Sequence, residues 1–189
     1  LDSLMMFTSL GRVHWLKVYT IPDVLRTSKG KSIANLLSLK ADESIAGILS
    51  VKKFEEGKKV LLITEKGVVK KTSLMAYSKP RQGGIIGLTV DKDDRVIAAG
   101  ITDGSQDILM VTKNGFSIRF SEEEVRPIGR TGRGVRGIRL KKGDFVAGAC
   151  VVKPGTAILT ATDKGYGKRT KLKEYPVQGR GGMGVITIK

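Results

Sequence analysis

The 189-residue chain is 40% hydrophobic, enough for one or two modest domains with a buried core and too apolar for a disordered segment. Its 34 Lys and Arg stand against 18 Asp and Glu, a formal charge of +16, and that excess points to a polyanionic partner. One cysteine and one histidine exclude an intramolecular disulfide, an ordinary zinc site and a Ser-His-Asp triad supplied by this chain alone.

In chain order, one segment type returns four times, as MMFTSLGRV, LLITEKGVV, LMVTKNGFS and LTATDKGYG, anchored by Thr8/Gly11, Thr64/Gly67, Thr112/Gly115 and Thr162/Gly165. Successive glycines lie 56, 48 and 50 residues apart. Each is followed by a second element with a β-branched residue, in SIANLLSL, GIIGLTV, GVRGIRL and GVITIK. Its anchors Ile33, Ile85, Val135 and Val185 are spaced by 52, 50 and 50. A third ladder pairs an acidic turn with an apolar run at Glu43/Ile45, Asp94/Val96 and Asp144/Val146. The chain is therefore one repeat domain, 1–189, with approximate repeats 1–56, 57–105, 106–155 and a partial 156–189.

Within each repeat a short apolar run such as VLLIT or DILMVT meets Thr-x-x-Gly and then a more polar strand. This predicts a hairpin whose Gly takes positive φ, a type I turn closed by a bulge. The apolar run is read as the inner strand and the polar one as the outer. One-turn helical pieces are expected near SLMAY and SEEEV. About four short strands per 50 residues give an all-β, propeller-like array of about four four-stranded antiparallel blades, and the partial last repeat makes that array incomplete. A solenoid usually has shorter repeats, and a sandwich does not predict this internal similarity.

The basic residues follow the ladder. Lys70 and Lys71, Arg119, and Lys168 with Arg169 stand three or four residues after a hairpin Gly. On outer strands they would form a track for a phosphate backbone. GRTGRGVRGIR sets Arg130, Arg133, Arg136 and Arg139 among glycines, with no acid between Val125 and Gly143, so backbone N–H groups and planar guanidinium groups could both reach phosphate. Lys29, Lys31, Arg81 and Arg180 complete the candidate DNA-binding set. Residues 107–189 hold 17 basic and 7 acidic groups against 17 and 11 in 1–106, which places the strongest binding in the C-terminal part. Cys150, in AGACVV, reads as a buried structural thiol. No apolar run approaches the roughly 20 residues of a membrane-spanning helix, and the start LDSLMMFTSLGR is no signal peptide, so a soluble cytoplasmic protein without a membrane partner is expected.

The strings KSIANLLSL, FEEGKKVLLITEKGVVKKT, GRGVRGIRLKKGD and AILTATDKGYGKRTKLKEYPVQGRGGMGVITIK resemble successive blades of the C-terminal domain of DNA gyrase A subunits, over essentially the whole chain. The resemblance implies a β-pinwheel, a propeller-like ring whose four-stranded blades exchange a strand. It also implies a non-catalytic module that binds, bends and wraps duplex DNA without sequence preference. The implied partners are the gyrase B subunit plus the rest of the A subunit, with a nucleoid-associated location. No cofactor belongs to this domain; ATP and Mg would serve other parts of the enzyme. The family's box, Gln-Arg-Arg-Gly-Gly-(Arg/Lys)-Gly, has no full copy. QGRGGMG is a degenerate one, matching at Gln178, Arg180, Gly181, Gly182 and Gly184, and the main box is expected upstream of Leu1. The related domain of topoisomerase IV A subunits is the alternative assignment.

Two other functions compete. A propeller-type protein-interaction scaffold would show aromatic anchors and mixed charge, yet aromatics are 5% and the charge is one-sided. An enzymatic propeller would need converging carboxylates, whereas the acids here fall in turns. GRGVRG and GRGGMG fit the dinucleotide fingerprint in letters alone, because β-type sequence follows each. Tyr166 shares its slot with Val68 and Phe116 and reads as a packing residue. No carboxylate pair in a glycine-rich loop suggests a metal site.

Overall fold

The computed structural model describes residues 2–188. Fourteen strands and five 3-10 turns form three four-stranded antiparallel sheets and one two-stranded sheet. Hairpins open each repeat: β1 Ser3–Thr8 with β2 Arg12–Lys17, β4 Lys59–Thr64 with β5 Val68–Ser73, β8 Asp107–Thr112 with β9 Phe116–Ser121, and β12 Ala157–Ala161 with β13 Gly167–Lys171. The remaining strands are β3 Ile45–Val51, β7 Val96–Thr102 and β11 Val146–Val152, with the two-residue β6 Ile85–Ile86, β10 Val135–Arg136 and β14 Val185–Ile186.

The sheet orders are β3-β1-β2-β6, β7-β4-β5-β10 and β11-β8-β9-β14. Each of the first three hairpins thus takes one flanking strand from its own repeat and the other from the next, which is the strand exchange of a β-pinwheel. The last blade has two strands among the described residues, as the partial last repeat had implied.

The hairpin turn is built as its residues dictate. Thr8, Thr64, Thr112 and Thr162 each accept the N–H of the residue four positions on at their Oγ1. Each also accepts the N–H of the turn Gly at its backbone carbonyl. Gly11, Gly67, Gly115 and Gly165 have φ between 75° and 82°. In the first three blades this glycine also docks the exchanged segment: the Gly115 carbonyl accepts Thr187 and Ile188 N–H, as Gly11 does for Gly87 and Leu88 and Gly67 for Gly137 and Ile138. A Cβ on Gly115 would lie inside the van der Waals envelope of the Ile188 carbonyl, whereas one on Gly165 meets nothing within 4 Å. Gly165→Ala should therefore cost about 1–2 kcal/mol from backbone conformation alone. Gly115→Ala adds the loss of β14 docking and should cost about 3 kcal/mol or more. Urea unfolding of the two variants compares them, and equal losses would contradict the docking role.

Two faces of each central hairpin are buried. Val60 and Leu62 of β4 join Met5, Phe7, Val13 and Tyr77 in one core, while Leu61 and Ile63 join Met110, Ile118 and Phe120 in the next. This explains why the apolar runs are continuous. They are not the innermost strands, however. That position belongs to β3, β7 and β11, whose small residues let them meet: a Cβ on Gly47 would stand 2.8 Å from that of Ala99, and one on Gly100 would stand 3.2 Å from Val151 Cγ2.

The pieces near SLMAY and SEEEV are 3-10 turns at Leu74–Tyr77 and Glu122–Glu124. The first copy of the second ladder is also a 3-10 turn, Ile33–Asn35, capped by Ser32 Oγ, where a strand was expected. Among the described residues it pairs with no strand. Cys150 is exposed on β11, contrary to the expected buried thiol. Opposite it β12 leaves Leu159 74% exposed, because no further sheet packs there among the described residues.

Candidate nucleic-acid interface

The second hairpin strands β5 and β9 do not face solvent, as their basic residues had suggested. The exchanged strand pairs with their outer edge, and the segment before it adds a parallel bridge from Pro127 to Lys71 and from Val177 to Arg119. Lys70 is fully buried and donates to the Gly87 carbonyl at 2.6 Å and to the Arg130 carbonyl. Burial, with the Arg130 guanidinium nearby, pushes its pKa down to about 8. Lys71 donates to the Glu122 carbonyl at 2.6 Å, and its ammonium lies 3.4 Å from the Glu122 carboxylate. Arg119 pairs with Asp107 at 2.7 Å and reaches the carbonyls of Leu172 and Tyr175. These three cations hold blades together and present no charge to a ligand.

Arg130 and Arg180 are half-buried and also turned inward. Arg130 Nη1 donates to the Ile86 carbonyl at 2.8 Å, and Arg180 Nη1 to the Arg136 carbonyl at 2.6 Å. In the degenerate box, Gln178 N–H binds the Arg119 carbonyl, Gly182 accepts Arg139 N–H, and Gly181 and Gly184 supply φ of 82° and 77°. The string serves blade docking.

The other candidates lie outside. Lys29, Lys31, Arg81 and Arg136 are exposed, and no side-chain ion pair engages them among the described residues. Arg133 is exposed but paired with Asp91 at 2.8 Å. Lys168 and Arg169 are exposed on β13, in the slots that Lys70 and Lys71 fill on β5. What differs is the cover, since no exchanged strand pairs with β13 among the described residues. On the exchange segments Arg126 and Arg139 are also exposed, and no side-chain ion pair engages either among the described residues. Arg126 had not been singled out, and its signal was its place just before Pro127, at the start of the exchange loop.

The exchange loops touch from blade to blade. Thr89 Oγ1 donates to the Thr131 carbonyl at 2.7 Å, Gly181 N–H to the Gly137 carbonyl and Arg139 N–H to the Gly182 carbonyl, both at 2.8 Å. Arg81, Arg126 and Arg139 thus ride on these joined loops, and Arg136 on β10 between them, in one rim. Among the described residues no group of three or more His, Cys, Asp or Glu could hold a metal ion, and no helix is long and apolar enough to cross a membrane.

The family described as DNA gyrase C-terminal domain, beta-propeller, matches residues 2–52, 58–103, 106–153 and 156–189. The DNA gyrase A protein of Salmonella typhimurium is 44% identical over 135 residues, 71% of this chain and 15% of that protein. Its counterpart in Haemophilus influenzae is 40% identical with the same coverage. The chain thus spans about 15% of the length of these curated relatives. Among solved structures, the C-terminal domain of DNA topoisomerase IV superposes with a TM-score of 0.89 at 33% identity, over 98% of this chain and 58% of that one. The DNA gyrase A C-terminal domain does so with 0.82 at 26% identity, over 97% and 59%. Repeated hairpins, exchanged strands and these matches agree: the chain belongs to the DNA gyrase C-terminal domain family.

Proposed function

We propose that this chain is the non-catalytic module by which a type II topoisomerase binds and bends duplex DNA, working with the gyrase B subunit plus the rest of a gyrase A subunit. The observation that carries this reading is the joined rim of exchange loops, on which Arg81, Arg126, Arg136 and Arg139 are exposed without carboxylate partners among the described residues. Spaced guanidinium groups on a curved β array suit phosphates, whose contacts position a duplex without reading its sequence. A duplex held on several blades must bend, and 40–90° over 20–30 bp costs about 1–6 kcal/mol, which repeated phosphate contacts offset.

The box-like string in this chain spends its arginine on internal bonds. The chain should therefore bind and bend DNA while trapping little positive writhe. Relaxing a closed plasmid with a type I topoisomerase in its presence, and then reading the linking number after its removal, tests this. Retarded, bent DNA with a near-zero shift is the expected outcome. A large positive shift would show that these blades suffice for chiral wrapping, and absence of any binding would overturn the reading.

A further inference from the structure

Arg130 and Arg180 make the same bond in successive repeats. Each guanidinium reaches back 44 residues to a carbonyl on the second residue of an exchanged strand, Ile86 of β6 and Arg136 of β10. Their own loops lead into the next exchanged strands, β10 and β14, so each bond ties two neighbouring strands on the rim. Arg180 is tied twice more: its N–H donates to the Glu124 carboxylate at 2.8 Å, and its Nε donates to the Glu124 carbonyl at 3.2 Å. Arg130 is held from behind by Lys70, which donates to its carbonyl. A two-residue strand has few backbone bonds of its own, so its order depends on such outside contacts.

We propose that Arg130 and Arg180 are positioning residues of the basic rim, each stapling the preceding exchanged strand, and that Arg180 acts on DNA through Arg136 and not by touching phosphate. The DNA half of this rests on the function proposed above; the staple itself does not. A planar fork satisfies carbonyls at fixed angles, which a lysine ammonium does not reproduce. The neighbouring Glu124 carboxylate also makes this a poor seat for a phosphate.

The full chain is tested as Arg180→Lys, Arg180→Gln, Arg136→Gln and the Arg136→Gln/Arg180→Gln double variant. Duplex affinity and amide hydrogen exchange over residues 133–138 are the readouts. Both Arg180 variants should weaken DNA binding similarly, by about threefold to tenfold, and the loss should fall below about twofold once Arg136 is already changed. Exchange over 133–138 should rise about tenfold while β8 and β9 stay protected. Full affinity in Arg180→Lys, with a loss in Arg180→Gln that adds to that of Arg136→Gln, would identify a direct phosphate contact and overturn the proposal. If Arg136→Gln leaves binding intact, the DNA half fails, and unchanged exchange would then remove the staple as well. Should Arg180 variants not fold, Arg130→Lys provides the same exchange test at residues 85–87, a strand that carries no cation; unchanged exchange there overturns the staple.

Discussion

Raising monovalent salt from 50 to 200 mM is expected to lower duplex affinity by about a thousandfold or more, as for six to ten neutralised phosphates. The free guanidinium groups of Arg81, Arg126, Arg136 and Arg139, with Lys29 and Lys31 nearer the start of the chain, are exposed. Each phosphate they neutralise releases a condensed counterion, so affinity follows the salt concentration steeply. The buried cations Lys70 and Lys71 add nothing to this slope, because their charges are spent on carbonyls and on Glu122. Two duplexes of unrelated sequence should bind alike, since contacts to the phosphate backbone carry no sequence information.

Replacing Glu122 by Ala is expected to destabilise the fold by about 3–5 kcal/mol, the usual cost of breaking a buried ion pair. Glu122 is fully buried. Its carboxylate accepts from Gly104 N–H at 3.1 Å, Gln106 N–H at 2.9 Å and the Thr102 hydroxyl, and it faces the Lys71 ammonium at 3.4 Å. The substitution would strand two N–H donors, a hydroxyl and a buried cation together. Urea unfolding measures it, and a loss under about 1 kcal/mol would mean that water replaces the carboxylate easily.

The repeat and its hairpins are legible in the sequence because their determinants are local. Thr64 and Gly67 fix their turn within five residues, through bonds that need no other repeat. The exchange is written elsewhere: β6, β10 and β14 are two residues each, and their partners lie in the preceding repeat. Lys70 and Lys168 look equivalent as letters, yet one is sealed by β10 and the Arg130 loop while the other stays open. Burial of a cation depends on what covers it, which a single repeat does not reveal. Glu122 gave the available hint for Lys71, an acid at a buried position of SEEEV. Likewise the innermost strands betray themselves by small residues, as at Gly47 and Ala99, and not by hydrophobicity.

If DNA lies on the exchange-loop rim, the slope of log affinity against log salt depends on the four free guanidinium groups there. It is measured for the unmodified chain and for the Arg81/Arg126/Arg136/Arg139→Gln variant, whose exposed substitutions should each change stability by less than about 0.5 kcal/mol. The variant's slope should be shallower by about 3–4, roughly 0.9 per lost phosphate contact. An unchanged slope in a variant that unfolds as cooperatively as the unmodified chain would contradict it.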